Sequence, residues 1–307
     1  MRRAEAAWSL VALLAATASA YGTPPDADSE PAPGQRVQVA RHALHLHCAG
    51  AGGPSVVLEA GLGGTALEWS RVQPEVARFT RVCSYDRAGY GWSDPGPAPR
   101  TAAVAAGELA QLLDRAGVPA PYLLVGHSFG GLVAQLFASQ YPQRVAGLVL
   151  IDASHEAQFR RLERVGGEPP LAPTGRHFLI ANHQRIPDGM PEELRLLARR
   201  LALAPDAVAA LYAELGAMRW SAREAAIDTE LPRVPVVVLV HDAVGQADSP
   251  AARERAQAWL ALQGELAQRN PGGRLLVVQE SGHHLHLDRP DVVIETIRSL
   301  LAASAKR

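Results

Sequence analysis

The chain lacks the compositional extremes that mark several classes of protein. Acidic and basic residues nearly balance over its 307 residues, which gives a formal net charge of −1, and no basic stripe or acidic run occurs. That balance argues against a nucleic-acid partner. Lysine is almost absent, since Lys306 is the only one. Hydrophobic residues make up 48% of the chain, which is ample for a globular core.

Near the N-terminus there is an apolar run, but it is too short to span a bilayer. It covers about ten residues from Trp8 to Thr17, follows two arginines and precedes Ala-Ser-Ala ending at Ala20. This pattern predicts a signal peptide over residues 1–20 and export to the periplasm or the medium. An amphipathic tail or a misassigned start codon is the alternative. Residues 21–34 are rich in Pro, Asp and Ala, and we expect a disordered leader there.

Cysteine is scarce, with only Cys48 and Cys83 present. They do not form a Cys-x-x-Cys spacing, so no redox function is indicated. Export would permit a disulfide between them. Both lie in apolar strand patterns, however, and the expectation from that setting is a pair of buried free thiols.

Apolar strands alternate with helical patterns along most of the chain. Two short alternating segments, 36–40 and 43–48, predict an antiparallel pair at one edge of a sheet. The later strands are apolar without alternation, which predicts a parallel sheet covered by helices on both faces. The alternation of strands and helices stops over residues 154–232, where helical patterns occur without a convincing strand. We therefore expect one doubly wound α/β core, residues 35–153 and 233–307, with a helical lid inserted.

One stretch combines a strand, a Gly-x-Ser-x-Gly turn and a helix. Apolar residues lead into Gly126-His127-Ser128-Phe129-Gly130, and a helical pattern follows. A nucleophile elbow has this context, because the sharp turn needs glycines and exposes the serine hydroxyl. The start of the helix directs N–H groups at whatever that hydroxyl attacks. A tight β-to-α turn without chemistry is the alternative reading.

Further motifs follow in a fixed order. The chain contains Glu59-Ala60-Gly61-Leu62-Gly63-Gly64, a turn over residues 85–93, the elbow, and Ser281-Gly282-His283 after the last strand. Together, over roughly residues 36–303, they make the chain resemble the α/β-hydrolase superfamily, in its serine-nucleophile branch of esterases and lipases. The order nucleophile, acid, histidine also fits this family. The motifs are specific for the fold and say little about the substrate.

The resemblance implies roles for four residues. Ser128 would be the nucleophile and His283 its base, while backbone N–H groups of Leu62 and Phe129 would form the oxyanion hole. His284 and His286 compete with His283 for the role of base. A zinc site made of these three histidines is a sharper alternative, but no further ligand stands at a suitable spacing, so we expect no metal and no cofactor.

The acid of the triad has three candidates. Most members of the superfamily place it after the penultimate strand, where this chain offers Asp242 and Asp248. Others place it one strand earlier, where Asp152 lies in Asp-Ala-Ser-His-Glu. The chain resembles the branch with that pattern, and Asp152 is favoured over Asp248 and then Asp242. Each also has a structural reading, as a turn residue or, for Asp248, a helix cap.

The resemblance implies hydrolysis of a small-molecule carboxylic ester through an acyl-enzyme, an activity of the carboxylesterase class. Serine at the elbow argues against epoxide hydrolases and haloalkane dehalogenases, which carry aspartate there. Peptidase, lactonase, carbon–carbon hydrolase and acyltransferase activities all keep serine and stay open. A non-catalytic binding module on the same fold is the other class of hypothesis.

Overall fold

The computed structural model describes residues 32–165, 189–228 and 231–304. The expected signal peptide, nearly all of the expected leader and parts of the segment 154–232 lie outside these residues. The described elements from Gly34 onward belong to a single compact unit.

An eight-stranded sheet forms the centre of the described residues. Its strands are β1 Gln35–Val39, β2 His42–Ala49, β3 Ser55–Glu59, β4 Val82–Tyr85, β5 Tyr122–His127, β6 Val145–Ile151, β7 Val236–His241 and β8 Arg274–Val278. The spatial order is β1-β2-β4-β3-β5-β6-β7-β8. Strand β2 pairs antiparallel with β1 and β4, and every other pair is parallel. The expected antiparallel edge and parallel centre are both confirmed.

Helices cover the two faces of the sheet. They are α1 Gln73–Val76, α2 Ala102–Arg115, α3 Phe129–Gln140, α4 Gln158–Arg164, α5 Glu192–Ala202, α6 Pro205–Asp228, α7 Pro250–Gln268, α8 Leu285–Asp288 and α9 Pro290–Ser304. Residues of α2, α3 and α7 pack in one hydrophobic cluster, and those of α1 and α9 pack in a second. Both clusters include alternate residues of the same strands, such as Leu124 in the first and Leu123 in the second. The doubly wound α/β architecture is therefore confirmed.

One helical prediction needs correction. The pattern over residues 66–79 predicts one helix, whereas the structure has a 3₁₀ turn at Ala66–Trp69 followed by the short α1. Pro74 explains the break, because proline has no N–H to donate within a helix and its ring clashes with the carbonyl one turn earlier. The same region holds Glu68, which is important below.

The expectation of free thiols is also wrong, since Cys48 and Cys83 form a disulfide. These two residues face each other directly in the antiparallel pair of β2 and β4. Each lies in an apolar strand, as the sequence indicates, but the strand order brings their side chains together. In the described residues no cysteine is free.

Between β6 and β7 the described residues contain only the helices α4, α5 and α6. Part of α6 packs against the core, because Met218 and Ala225 belong to the same cluster as α2 and α3. Among the described helices, none alone is long and apolar enough to cross a membrane. The consecutive helices α5 and α6 satisfy the length and composition test only as a pair bent by 74°.

Candidate active site

Ser128 lies at a sharp turn between β5 and α3. Its backbone has φ 52° and ψ −119°, and the helix begins at the next residue. A Cβ at Gly126 would lie 2.5 Å from the carbonyl oxygen of Gly130, and a Cβ at Gly130 would lie 2.5 Å from the carbonyl oxygens of Glu59 and Ala60. Only glycine fits at both positions, because real Cβ atoms essentially never approach so closely. The strained strand-to-helix turn expected from the motif is present.

This turn is joined by hydrogen bonds to the turn that follows β6. The N–H of Ser128 donates to the carbonyl of Ile151 at 3.0 Å, and the N–H of Ser154 donates to the carbonyl of Ser128 at 2.9 Å. Asp152, between these two partners, has a positive φ of 45° and donates its own N–H to the carbonyl of Leu239 at 2.7 Å. The two turns are held as one unit at the carboxyl edge of the sheet.

Asp152 and His283 are brought into direct contact. The Asp152 carboxylate is fully buried, and its Oδ2 lies 2.5 Å from Nδ1 of His283. Its Oδ1 accepts a hydrogen bond from the indole N–H of Trp259 at 2.8 Å. Burial alone would raise the pKa of Asp152, but the interactions with His241 and His283 outweigh burial and lower it to about 2. The acid is therefore ionised at neutral pH.

An ionised carboxylate can only accept, so Nδ1 of His283 must carry the proton that it shares with Asp152. In the neutral ring, Nδ1–H leaves the lone pair on Nε2, which is the form that a general base requires. The side chain of His283 is 43% exposed, which leaves the ring accessible from outside. Its carbonyl oxygen lies 2.9 Å from Nε2 of His127, the residue before Ser128.

His241 is a further neighbour of the carboxylate that sequence reasoning missed. Its Nδ1 lies 2.8 Å from Oδ2 of Asp152, but off the direction of a hydrogen bond, so the contact is electrostatic. Burial would lower the pKa of His241, and the adjacent carboxylate raises it above the ordinary value instead. The only sequence signal was its place at the end of β7, one residue before Asp242.

The two alternative acids make other contacts. Oδ1 of Asp242 accepts the N–H of Gly245 at 2.8 Å, which closes the turn after β7. Asp248 is exposed at the start of α7. It is not the cap of that helix, because the hydroxyl of Ser249 accepts the N–H of Ala252 at 3.2 Å. Asp152 is thus the candidate that the structure places in contact with His283.

The loop after β3 passes directly beside the elbow. A Cβ at Gly61 would lie 3.4 Å from the Cβ of Ser128, so the loop and the serine are in van der Waals proximity. Leu62, the next residue, is half buried against Tyr90 and residues of α6. Phe129 opens α3, where the first N–H groups have no partner within the helix. Both backbone groups expected in an oxyanion hole therefore belong to segments next to Ser128.

Comparison with known proteins agrees with this architecture. The family model described as alpha/beta hydrolase fold matches residues 54–171. The chain is an α/β-hydrolase-fold protein. It is 25% identical over 281 residues to an AB hydrolase superfamily protein of Gibberella zeae, which covers 81% of this chain and 86% of the relative. Several further curated matches are shorter, and the chain spans less than half the length of those relatives.

Solved structures share the fold and differ in the activities named for them. A thermophilic esterase from Thermogutta terrifontis superimposes with a TM-score of 0.62 and 24% identity, covering 89% of this chain and 99% of the esterase. The epoxide hydrolase CorEH gives a TM-score of 0.66 and 20% identity, covering 88% and 98%. At such identities these neighbours show the fold alone. The chain thus shares the α/β-hydrolase fold with these proteins, and its own residues must decide its chemistry.

A buried ion network, which sequence reasoning missed, anchors the loop of residues 59–64; this segment is called the oxyanion loop below, after the role expected for Leu62. Arg87 donates to the carbonyl oxygens of Ala60 and Gly61 at 2.7 Å each, and to the carboxylate of Glu59 at 2.8 Å. Its Nε and Nη2 also donate to the two oxygens of Glu214 on α6, at 2.8 and 3.0 Å. Arg87 was visible in the sequence only as part of the 85–93 turn.

Glu59 has an unusual ionisation in this network. Its carboxyl group is buried and accepts hydrogen bonds from Arg87 and from the hydroxyl of Tyr85. Burial, opposed by the attraction of Arg87 and assisted by the negative charge of Glu214, raises the pKa of Glu59 to about 7. One guanidinium faces two carboxylates, so a proton on Glu59 removes the excess negative charge.

Four histidines, His127, His283, His284 and His286, lie close together beside the elbow. The ring centroid of His127 lies 4.7 Å from that of His283, 5.2 Å from that of His284 and 4.5 Å from that of His286. Burial lowers the pKa of His127 well below its ordinary value and that of His284 to about 4, and the neighbouring histidines add to both shifts. The three C-terminal histidines considered as a zinc site are therefore near one another, but only His286 belongs to a group with metal-binding geometry in the described residues.

Proposed function

We propose that this α/β-hydrolase cleaves carboxylic esters through an acyl-enzyme, with Ser128 as nucleophile, His283 as base and Asp152 as acid. The observation that carries the proposal is the 2.5 Å contact between Asp152 and Nδ1 of His283. It fixes the tautomer that presents a basic Nε2, at the sheet edge where Ser128 occupies a strained elbow. The geometry supports a serine mechanism because nucleophile and base require each other.

In the acylation step His283 Nε2 takes the proton of the Ser128 hydroxyl as Oγ attacks the ester carbonyl carbon. The negative charge that develops on the carbonyl oxygen would be held by the N–H groups of Leu62 and Phe129. When the tetrahedral intermediate collapses, the carbon–oxygen bond to the alcohol breaks and His283 returns the proton to the leaving alkoxide. Asp152 stays ionised and stabilises the imidazolium throughout.

In the deacylation step water replaces the alcohol. His283 takes a proton from the water as it attacks the acyl carbonyl, and the second tetrahedral intermediate collapses to the free acid. The proton then returns to Ser128 Oγ. Each step uses only the side chains and backbone groups named above.

The helices between β6 and β7 are proposed to act as the lid of the acyl site. The support is contact with the catalytic loops: Leu62 packs beside Ala207, Ala210 and Leu211 of α6, and Glu214 of α6 binds Arg87. An apolar wall next to the oxyanion loop favours an ester with a small or medium apolar acyl group. Serine at position 128, in place of an aspartate, speaks against the epoxide chemistry named for one structural neighbour.

Export is proposed for the same protein. The disulfide of Cys48 and Cys83 supports it, because disulfides persist in oxidising compartments and are rare in the reducing cytosol. The apolar N-terminal run, followed by small residues at the expected cleavage site, would act as the signal peptide for this export. Localisation by fractionation of a cell that expresses the full chain tests this directly, and a purely cytosolic chain of unchanged length would reject it.

Labelling with a fluorophosphonate tests the proposed mechanism. The wild-type chain should form one adduct, located on Ser128 by peptide mass spectrometry, and should hydrolyse p-nitrophenyl esters. Ser128→Ala should remove both adduct and turnover, while His283→Ala should slow labelling by several orders of magnitude. Ser154→Ala, in the adjoining turn, is the matched serine control and should keep the label.

Two results would reject the proposal. Ester turnover that survives in folded Ser128→Ala would exclude Ser128 as the nucleophile. A folded wild-type chain that takes no label and turns over no ester would favour the non-catalytic binding module. Circular dichroism of each variant separates these results from failure to fold.

A further inference from the structure

We infer that Glu68, His127 and His286 form a binding site for a single Zn²⁺ ion, or a similar divalent transition metal, beside the elbow. Each residue offers one ligand atom, and these atoms all lie within 4.8 Å of one another. Glu68 comes from the 3₁₀ turn after the oxyanion loop, His127 from the end of β5 and His286 from α8. This inference does not depend on the proposed ester hydrolysis.

The protonation of His127 suits a metal ligand. Its Nε2 faces the carbonyl oxygen of His283 at 2.9 Å, and a carbonyl can only accept, so Nε2 carries the hydrogen. Nδ1 then holds a lone pair, and it is buried without a hydrogen-bond partner. Metal-binding histidines typically donate their other N–H to a backbone carbonyl or a carboxylate, which fixes the ring. His127 has this arrangement already.

The remaining donors are also buried and unsatisfied. Neither ring nitrogen of His286 has a hydrogen-bond partner, although the residue is fully buried. Oε2 of Glu68 is buried without a partner as well, and it lies 3.7 Å from Nε2 of His286, too far for a hydrogen bond. Buried polar atoms normally have hydrogen-bond partners. Several buried polar atoms without partners, all close to one another, therefore indicate a ligand that binds between them.

Two glycines of the oxyanion loop let its backbone pass close to the same ligand atoms. A Cβ at Gly64 would lie 2.5 Å from Oε2 of Glu68, and a Cβ at Gly61 would lie 2.8 Å from Nδ1 of His127. Any larger residue would occupy the space next to the ligand atoms. Glycine at both positions therefore lets the loop pass this close to Glu68 and His127.

The donor set selects the class of metal. Two imidazole nitrogens and one carboxylate oxygen form a known three-ligand set for Zn²⁺, with a fourth position left for water. Bonds of about 2.0–2.2 Å require ligand atoms about 3.5 Å apart, so the present spacing of up to 4.8 Å must contract by up to about 1.3 Å on binding. The Glu68 side chain, 14% exposed, is the least buried of the three ligands.

This set differs from the one considered from the sequence. Consecutive histidines suggest His283, His284 and His286, but His283 is engaged with Asp152 and His284 lies outside the group of close ligand atoms. Glu68 carries no metal motif and lies more than two hundred residues from His286. The fold alone brings the three ligands together.

Titration of the chelator-treated chain with Co²⁺ and Zn²⁺ tests the site. We expect one Co²⁺ per chain with the visible absorption of a four- or five-coordinate ion, displaced by one equivalent of Zn²⁺. Zn²⁺ should also raise the thermal midpoint, because a ligand that binds the folded state stabilises it. Folded Glu68→Gln and His286→Gln should bind at least about 100-fold more weakly and lose the midpoint shift. His155→Gln, another buried histidine, is the control and should bind within about threefold of wild type.

Three results would overturn the inference. The first is a folded wild-type chain that binds no Co²⁺ and no Zn²⁺. The second is undiminished binding in folded Glu68→Gln. This variant tests the inference on its own if His286→Gln fails to fold. The third is loss of binding in His284→Gln with Glu68→Gln unaffected, which would favour the consecutive histidines instead.

Discussion

Replacing Glu214 with glutamine tests whether α6 holds the oxyanion loop in place through Arg87. The carboxylate of Glu214 accepts from Nε and Nη2 of Arg87 and from the hydroxyl of Tyr90 at 2.9 Å, and all three residues are buried. An amide of the same shape offers one acceptor oxygen, so one guanidinium N–H must face an NH₂ group. The variant therefore leaves a charged donor unsatisfied in the interior.

The magnitude follows from that lost contact. A buried donor without a partner costs about 1–3 kcal/mol, and more when it is charged. Glu214→Gln should thus lower the free energy of unfolding by about 2–3 kcal/mol. Glu214→Ala removes the partner altogether, and breaking a buried ion pair from one side costs about 3–5 kcal/mol. Such losses are a large part of the 5–15 kcal/mol typical of folded domains.

Replacing Glu214 should also lower the ester hydrolase activity, because Arg87 holds the oxyanion loop. Arg87 also binds the carbonyls of Ala60 and Gly61, immediately before Leu62. A guanidinium that shifts towards Glu59 moves those carbonyls, so the proposed oxyanion donor loses alignment. We expect kcat for an ester to fall about tenfold or more with a small change in KM, because the contact is made chiefly in the transition state.

Urea unfolding followed by circular dichroism and by tryptophan fluorescence measures the stability change. Glu224→Gln is the matched control, since Glu224 also lies on α6 and accepts from the hydroxyl of Thr101 at 3.1 Å without touching Arg87. Its loss should stay within about 1 kcal/mol. Equal stability and equal kcat in Glu214→Gln and Glu224→Gln would refute the reasoning.

Three further predictions use other contacts. Asp152→Asn should lower kcat by about 10⁴-fold with the fold intact, because an amide favours the wrong tautomer of the histidine; a loss under tenfold would remove Asp152 from the triad. The pKa of Glu59 is about 7 in the folded protein against an ordinary value of 4.5, so folding favours its protonated form. Its stabilising contribution is therefore complete below pH 4.5 and lost as the pH rises through 7, so urea midpoints should fall over that range in wild type and less in Glu59→Gln. Replacing Cys48 and Cys83 by alanine together should cost about 4 kcal/mol in urea unfolding, from the 35-residue separation that the disulfide closes; a loss under 1 kcal/mol would contradict this.

The local sequence pattern predicted correctly those features that depend on residues close together in the chain. Gly126, Ser128 and Gly130 form their turn within five residues, and the structure has the turn that the spacing predicts. The alternation of strands and helices likewise predicts the parallel sheet. His283 and Asp152 each follow a strand of that sheet, and parallel strands bring their carboxyl ends to one edge. The choice of Asp152 over Asp242 and Asp248 came from the family resemblance.

The sequence pattern did not predict contacts that depend on strand order or on a partner far away in the chain. Cys48 and Cys83 meet only because β2 pairs with β4 and not with β3, which no local signal gives. Arg87 and Glu214 are 127 residues apart, and neither belongs to a charge pattern that would pair them. Glu68 meets two histidines for the same reason. Such contacts are properties of the assembled sheet and its helices.

The position of β8 has a consequence for how the protein loses activity. Ser128 and Asp152 directly follow the central strands β5 and β6, and backbone hydrogen bonds join their two turns. His283 instead follows β8, the last strand, which pairs only with β7 and is largely exposed. Edge segments with few buried contacts open locally at lower free energy than the centre of a sheet. Under gentle heating or low urea the histidine should therefore detach first, and inactivation should precede and reverse independently of global unfolding.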